Sequence, residues 1–452
     1  MKETYRYIEE NRERYVEELI PLVRQKSVSM THTGIKECAE LLKNIMEKAG
    51  IPTKLYPTAS GHPVVIGQLK ADVENAPKLL IYGHYDVMPE GPLELWDSDP
   101  YEPVIRDGRL YGRGAGDNKG QLFAHIKAQE AYRKFHDGLS VNIVYVFDGE
   151  EEQGSPNLLS VFEQYKELLQ ADVAVCSDAG IHASGRPTIQ LGVKGICAIK
   201  LTCRTIKKPQ HSQYASAAPS ASWRLLDALS TLKKAEGAVL IDHFYDSAME
   251  PSKEDLEALE KLPYDHKDQL DAWGVDRLLM NRKNDRYLYN YMFEPTCNLG
   301  CFSAGDVNGS KNVTVDEAVA YIDFRLVPGQ TPEHIYELTV KHLEKHGFGD
   351  IEVEMYAKLP SSKTPMTSPY VAMMEQTLRE AWDAEPVVFP IIGCSAPFYL
   401  FSDVLETPWM MVPIATADQN DHGANENLDL TCFIKGVKTG ASLIENLGGM
   451  KR

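Results

Sequence analysis

Five short segments of the chain hold residue types that bind metal ions or transfer protons. In the first, His84 and Asp86 follow the apolar run KLLI, and residues two apart on an extended chain point to the same side. A metal-bound imidazole usually needs a carboxylate or carbonyl on its other nitrogen, and Asp86 can supply one. In the second, glycines allow close backbone approach and place Asp117 before a helical stretch. The five segments are YGHYDVMP, LYGRGAGDNKG, FDGEEEQGS, CSDAG and DQNDHGANENL.

The third segment has three adjacent glutamates after the apolar run VNIVYV. At a pair of metal ions, one glutamate can be a ligand while its neighbour acts as a general base. In the fourth, Asp178 follows the run ADVAV, and in the fifth, His422 lies in a loop rich in Gly and Asn. Taken singly, each segment also fits a turn hydrogen bond, a solvated turn or a phosphate loop. A phosphate loop is disfavoured because the G-x-x-x-x-G-K-[ST] pattern is absent and Asp117 would repel phosphate.

The apolar patterns around these segments predict the elements that position them. HPVVIGQL, PKLLIYG, SVNIVYVFDG and ADVAVCSD have the pattern of strands, and KGQLFAHIKAQEAYRKF that of a helix. Alternation of strands and helices predicts an α/β fold whose sheet is mostly parallel. Ligands of such sheets bind beyond the carboxyl ends of the strands, where we expect all five segments to lie.

The pattern changes after GRPTIQLGVKG. Alternating strands such as GICAIKLTCR and VDEAVAYIDFRLVPG, with two helices between and after them, predict an α+β domain with an antiparallel sheet. From SPYVAMMEQTLREAWD the first pattern returns, so the second domain is predicted to be an insertion. We expect the first domain to comprise residues 1–186 and 366–452 and the inserted domain residues 187–365. The patterns assign no elements to residues 237–295.

Composition narrows the class of protein. A length of 452 residues predicts two domains, and a net charge of −18 disfavours binding to nucleic acid or anionic membranes. The N-terminus is charged and lacks the features of a signal peptide, and no apolar run reaches about 18 residues. The 8 cysteines are scattered, which favours reduced thiols and a cytoplasmic protein.

The five motifs, in this order along nearly the whole chain, resemble the M20 family of dinuclear metallopeptidases. The order is HxD, GRGxxDxKG, EE-x-G-S, SD and H-x-x-N-E. The long insertion resembles most the dipeptidase branch of that family, the carnosinase-like cytosolic dipeptidases. The resemblance implies a parallel-sheet di-metal peptidase domain with an inserted lid and dimerisation domain.

By the same resemblance, each ionisable residue receives a role. Asp117 bridges two divalent metal ions, expected to be zinc, with manganese or cobalt as alternatives. A hydroxide between the ions is the nucleophile, Glu151 is the general base and Asp86 orients His84. The remaining ligands are His84 and Asp178 at one ion, and Glu152 and His422 at the other.

The resemblance also implies residues that bind the substrate. His211, in PQHSQY, would reach the active site of a neighbouring subunit in a homodimer, although it also fits an ordinary surface loop. Arg325 would bind the terminal carboxylate of a peptide, although an arginine extending from an edge strand is an alternative. IIGCSAP resembles the Gly-Ser substrate loop of the family, with Gly393 and Ser395 as contacts.

The predicted activity is hydrolysis of the amide bond of dipeptides or short peptides. Two alternatives stay open at this point, an M20-type deacylase of N-acyl amino acids and a non-catalytic metal-binding relative. A serine hydrolase is disfavoured because Pro397 replaces the final Gly of G-x-S-x-G. A calcium module is disfavoured because histidines are poor calcium ligands.

Overall fold

The computed structural model describes residues 1–281, 284–306 and 312–450. Their contacts divide the chain into two units. Unit 1 comprises Met1–Leu191, Thr364–Phe389 and Leu400–Arg452, and unit 2 comprises Gly192–Lys363 and Pro390–Tyr399.

The α-helices are α1 Lys2–Glu10, α2 Arg12–Arg24, α3 Ile35–Lys48, α4 Gly120–Arg133, α5 Leu158–Gln164, α6 Lys166–Leu169, α7 Ala221–Leu232, α8 Lys253–Glu260, α9 His266–Trp273, α10 Asn284–Phe293, α11 Pro332–Lys345, α12 Pro369–Trp382 and α13 Leu430–Gly448. The strands are β1 Thr53–Tyr56, β2 Val64–Leu69, β3 Lys78–His84, β4 Val104–Arg106, β5 Arg109–Tyr111, β6 Asn142–Asp148, β7 Val173–Cys176, β8 Thr188–Gln190, β9 Gly192–Val193, β10 Gly195–Arg204, β11 Gln210–His211, β12 Thr296–Ala304, β13 Val313–Thr314, β14 Glu317–Leu326, β15 Glu352–Leu359, β16 Ser362–Lys363, β17 Val387–Phe389, β18 Trp409–Met411 and β19 Asn427–Asp429.

Unit 1 is built on a mixed sheet with a parallel centre. Within the described residues the strand order is β1-β2-β6-β3-β7-β18-β8-β17. β6, β3, β7 and β18 run parallel to one another, whereas β1 and β2 pair antiparallel at one edge. The central strands are almost wholly buried, as expected for a parallel sheet covered on both faces. The fold class predicted for this part of the chain is confirmed.

Helices cover the sheet and complete the core of unit 1. α4 is buried around nearly its whole circumference, because its small residues allow α13 to approach closely at Gly440. Phe123 of α4 stacks on Phe433 of α13 with ring centroids 6.4 Å apart. This buried helix begins three residues after Asp117, so its packing fixes the position of that segment.

Unit 2 has an antiparallel sheet with the order β12-β14-β10-β15. Alternate residues of β10 and β14 are buried against α7 and α11, which gives the period of two that the sequence shows. Arg325 lies on β14, between β10 and β12. The alternative of an edge-strand arginine is therefore wrong.

The structure differs from the sequence expectations in three places. The opening helix is broken at Asn11 into α1 and α2. The units change at residues 191/192 and 363/364, where the sequence suggested 186/187 and 365/366, and Pro390–Tyr399 belongs to unit 2. Residues 237–295 contain α8, α9 and α10, with residues 282–283 outside the described part. Among the described residues, no helix has the length and apolarity needed to cross a membrane.

Candidate metal centre

Three neighbouring strands deliver acidic and histidine side chains to one edge of the sheet of unit 1. His84 is the last residue of β3, Glu151 and Glu152 lie in the turn after β6, and Asp178 follows β7 by two residues. Because β6, β3 and β7 are parallel neighbours, their carboxyl ends meet at the same edge.

Asp117 and His422 reach the same place from loops. Asp117 precedes α4, and His422 lies between β18 and β19 with φ +58°, a left-handed conformation that is strained for a residue with a side chain. The expectation that all five segments follow strands of the sheet therefore holds for three of them. For these two, loop geometry rather than strand alternation sets the position.

Two histidines and two other carboxylates form a cluster with Asp117. Its Oδ1 lies 2.9 Å from His84 Nε2, and its Oδ2 lies 3.2 Å from His422 Nε2. Asp178 Oδ2 is 3.7 Å from His84 Nε2. Glu152 Oε2 is 3.1 Å from His422 Nε2. Each oxygen of Asp117 thus faces a different imidazole, and each imidazole has a second carboxylate beside it.

The electrostatics of this cluster are those of acids crowded away from water. Burial, and then the nearby Asp117, raise the pKa of Asp178 to about 7, and burial raises the pKa of Glu151 well above its ordinary value. Hydrogen bonds with Asp117 and Glu152 raise the pKa of His422 to about 11. Burial alone would raise the pKa of Asp117, but hydrogen bonds from His422 and His84 outweigh it and lower that pKa. A positive charge nearby would favour the ionised forms of Asp178 and Glu151, whose pKa values burial raises.

The donor set fits divalent metal ions. His84, Asp117 and Glu152 each offer a ligand atom, and these atoms all lie within 4.8 Å of one another. Imidazole nitrogen combined with carboxylate oxygen is the ligation that zinc and similar transition metals take in proteins. The carboxylates around this place outnumber the two imidazoles, so a divalent cation would offset the excess of negative charge.

Asp86 supports both ends of this cluster. It is fully buried, and its Oδ1 lies 3.3 Å from His84 Nδ1. The backbone N–H groups of Glu151 and Glu152 donate to its two oxygens, each at 3.1 Å. The backbone carbonyl of Asp86 also lies 3.0 Å from His84 Nδ1, so Asp86 is placed to orient the imidazole. It holds the turn of the two glutamates as well, a contact that the spacing H-x-D does not reveal.

The residues expected to contact substrate lie in unit 2. Arg325 Nη1 donates to Ser395 Oγ at 2.8 Å, and Ser395 Oγ donates to the carbonyl of Gly195 at 3.2 Å. A Cβ atom at Gly393 would come within 2.6 Å of the ring of Tyr291, so a larger residue there would require that ring to move. Arg325, Ser395 and Gly393 thus belong to the same unit. The sequence alone instead predicts that Ser395 and Gly393 lie in the first domain.

His211 lies apart from these residues in sequence, on the short strand β11 of unit 2. It is exposed, and its Nδ1 accepts a hydrogen bond from the N–H of Gln213 at 3.1 Å. Its role in a neighbouring subunit stays a prediction.

Comparison with known proteins places the chain in a family. A profile of Peptidase family M20/M25/M40 matches residues 80–446. The crystal structure of the M20 family metallo-carboxypeptidase Sso-CP2 from Sulfolobus solfataricus is similar, with 33% identity and a TM-score of 0.88 over 96% of this chain and 99% of that one. The Cys-Gly metallodipeptidase dug1 of Schizosaccharomyces pombe is 26% identical over 99% of this chain and 98% of its own length. The Beta-Ala-His dipeptidase of Mus musculus is 25% identical over 95% and 89% respectively.

Fold, donor set and relatives together define a metal-dependent peptidase. The chain belongs to peptidase family M20/M25/M40. The resemblance to the dipeptidase branch of that family, which the motifs suggested, is also confirmed.

Proposed function

We propose that this protein hydrolyses the amide bond of dipeptides with two divalent metal ions in each subunit. The observation that carries the proposal is the geometry of Asp117, whose two oxygens face His84 and His422 on opposite sides. That arrangement suits one carboxylate shared between two ions. His84 and Asp178 would then complete one site, and Glu152 and His422 the other.

The metals would supply Lewis acidity. When bound, two ions polarise the scissile carbonyl and lower the pKa of water from about 15.7 to near 7. Zinc suits the mixed nitrogen and oxygen ligands, and manganese or cobalt would be tolerated.

Glu151 is the general base in this proposal. Burial, and then the charges of Asp178 and other nearby carboxylates, raise the pKa of Glu151, which strengthens its carboxylate as a base. It takes a proton from the attacking water and later delivers it to the leaving amine. Asp86 keeps Glu151 in place through the backbone N–H group that it accepts.

The substrate end of the proposal depends on Arg325, Ser395 and Gly393. A guanidinium binds a peptide's terminal carboxylate through two parallel hydrogen bonds. Similar relatives are named for Cys-Gly and β-Ala-His substrates, which are dipeptides with a free carboxylate. Both facts favour recognition of a short peptide by its C-terminus.

Arg325→Met should raise KM for a dipeptide and leave kcat little changed, because the lost contact holds a part of the substrate that does not react. Hydrogen bonds to a charged group contribute about 1.5–3 kcal/mol, which corresponds to a rise in KM of about 10- to 100-fold. The measurement is steady-state hydrolysis of a dipeptide and of its C-terminal amide. The amide should bind wild type as weakly as the dipeptide binds the variant. An unchanged KM for the dipeptide would rule out this role.

We further propose that the protein is a homodimer in which His211 donates a hydrogen bond to the developing oxyanion in the partner subunit. Its exposure in unit 2 and the sequence of its loop support a role outside its own subunit. A symmetric dimer would then carry two composite sites.

Mixing two inactive variants tests this role. His211→Ala and Glu151→Gln should each be nearly inactive alone. After subunit exchange, a heterodimer has one site with both residues intact, so about a quarter of the wild-type activity should return. The readout is dipeptide hydrolysis by the mixture, with sedimentation to establish the dimer. Failure to recover activity in a proven heterodimer would place His211 outside the partner's site.

A deacylase of N-acyl amino acids is the second candidate, because it would use the same metal centre and the same carboxylate-binding arginine. A panel of dipeptides, tripeptides and N-acetyl amino acids separates the two, with release of free amine as the readout. Fastest cleavage of dipeptides supports the proposal, and preference for N-acetyl amino acids replaces it with the deacylase. No cleavage by the metal-loaded protein would support the third candidate, a non-catalytic metal-binding relative.

We also propose a cytoplasmic location. The 8 cysteines are scattered along the chain and none of them forms a disulfide in the part of the chain that the structure describes, a pattern typical of proteins in reducing compartments.

A further inference from the structure

The glycine-rich loop before Asp117 encloses a carboxylate of the same chain. Glu426 Oε1 accepts N–H groups from Gly114, Gly116 and Asp117 at 3.0, 3.1 and 2.9 Å. The N–H of Gly114 also lies 3.0 Å from Glu426 Oε2, to which Arg113 Nη1 donates at 2.6 Å. Successive backbone N–H groups that point inward form an anion-binding concavity. The anion in this concavity is a glutamate side chain and not a phosphate.

The loop can take this shape only with glycine at particular positions. Gly114 has φ +87°, which L side chains rarely adopt. A Cβ atom at Gly116 would come within 2.9 Å of the backbone oxygen of Asn427, which belongs to the segment that carries Glu426. These glycines therefore serve the contact between the two segments.

Burial makes this contact costly to disturb. Glu426 is 0% exposed and Arg113 is 1% exposed, so the charge of each depends on the other and on the backbone donors. Removing one partner of such a buried pair leaves either an uncompensated charge or several N–H groups without a hydrogen-bond acceptor, and both destabilise the folded protein. The two segments are thus held in one relative position.

Both segments carry proposed metal ligands. Asp117 itself donates its N–H to Glu426, and His422 lies four residues before Glu426 in the same loop. The N–H of Gly112 also donates to the backbone carbonyl of Glu426 at 3.0 Å. The buried carboxylate of Glu426 therefore connects the segments of two proposed ligands. Asp117 would be shared by both ions, and His422 would bind only one of them.

We propose that Glu426 is a positioning residue that sets metal affinity by holding Asp117 and His422 in register. The inference rests on the proposed two-metal site. Ligand-supporting groups outside the coordination sphere typically change metal affinity by about 10- to 100-fold when removed. Glutamine at this position has the same shape, but its NH₂ group would face backbone N–H donors instead of accepting from them.

Glu426→Gln should weaken zinc binding by about 10- to 100-fold, measured in competition with a chromophoric chelator. The absorption spectrum of the Co²⁺-loaded protein should also change, because the ligand geometry shifts. Excess metal should restore much of kcat, with KM little altered. The matched control is Glu130→Gln, which removes a carboxylate paired with Arg14 at 2.7 Å and Lys127 at 2.9 Å in unit 1, away from the metal ligands. It should lower the unfolding temperature without changing zinc affinity or the Co²⁺ spectrum.

If Glu426→Gln loses stability but binds zinc as wild type does, Glu426 is only structural and the inference is overturned. If that variant does not fold, Glu426→Asp decides, because it keeps the charge while its shorter side chain draws the carboxylate away from the N–H groups of the loop. Weaker zinc binding by Glu426→Asp supports the inference, and unchanged binding overturns it. Metal affinity is measured without substrate. A wild type that binds two ions but cleaves no peptide would therefore contradict the proposed function and leave this inference standing.

Discussion

Glu151→Gln should lower kcat for dipeptide hydrolysis by at least about 10²-fold while both metal ions stay bound. Glutamine has the size of glutamate but cannot take a proton from water or return one to the leaving amine. Steady-state kinetics and metal analysis of the same preparation measure the two effects together. Burial raises the pKa of Glu151, and its position in the turn directly before the proposed ligand Glu152 suits a group that takes and returns a proton.

The control for this experiment is Glu163→Gln, which changes an exposed glutamate of α5 in the same way and should leave kcat unchanged. Full activity of Glu151→Gln would show that another group is the base. Loss of metal along with activity would show that Glu151 is a ligand, and the roles proposed for Glu151 and Glu152 would have to be exchanged.

Asp117→Asn should lower activity further, by at least about 10³-fold, because the metals stabilise the transition state by several kcal/mol. An amide is a weak, neutral ligand, and Asp117 is the residue proposed to serve both ions. Metal content after dialysis should fall at both sites. His422→Ala should lose one ion and keep the other.

Comparing the metal content of Asp117→Asn with that of His422→Ala tests whether Asp117 is shared by both ions. Retention of both ions by Asp117→Asn would contradict the shared carboxylate. Loss of both ions by His422→Ala would indicate that the sites do not fill independently. Circular dichroism and thermal unfolding of the metal-free variants establish that each remains folded.

The fold of unit 1 could be predicted because its strands are short apolar runs with clear ends. The runs VNIVYV and ADVAV form most of β6 and β7. The residues that follow them meet at one edge of the sheet because both strands run parallel to β3. The sequence alone therefore predicts that His84, Glu152 and Asp178 lie close together. The α+β pattern of unit 2 could also be predicted, since burial alternates along β14 and the residues of β10 that join the core of unit 2 lie two apart.

The hydrogen-bond partners of Glu426 could not be predicted, although the motif H-x-x-N-E ends on this residue. Its partners at residues 113–117 are about 310 positions away in the sequence. The polar residues that surround Glu426 in the sequence predict only a loop. The glycines indicated that the backbone wraps around something, but only the structure shows that it is this carboxylate. Long-range hydrogen bonds between loops leave no periodic signal in either segment.

Two other features of the fold could not be predicted from the sequence, for similar reasons. Residues 390–399 belong to unit 2 although they follow β17 of unit 1 directly, and no change of composition marks the transition. The helices between residues 237 and 295 are short, and α9 has no fully buried residue, so apolar periodicity is weak there. In both places tertiary contacts, and not local pattern, decide the structure.

The most direct test is a titration of the metal-free protein with Zn²⁺ while dipeptide hydrolysis is followed. We expect no hydrolysis without metal and a rate that reaches its maximum when two ions are bound per chain. Hydrolysis by the metal-free protein, or a maximal rate already with one ion per chain, would contradict a catalytic centre in which Asp117 is shared by two metals.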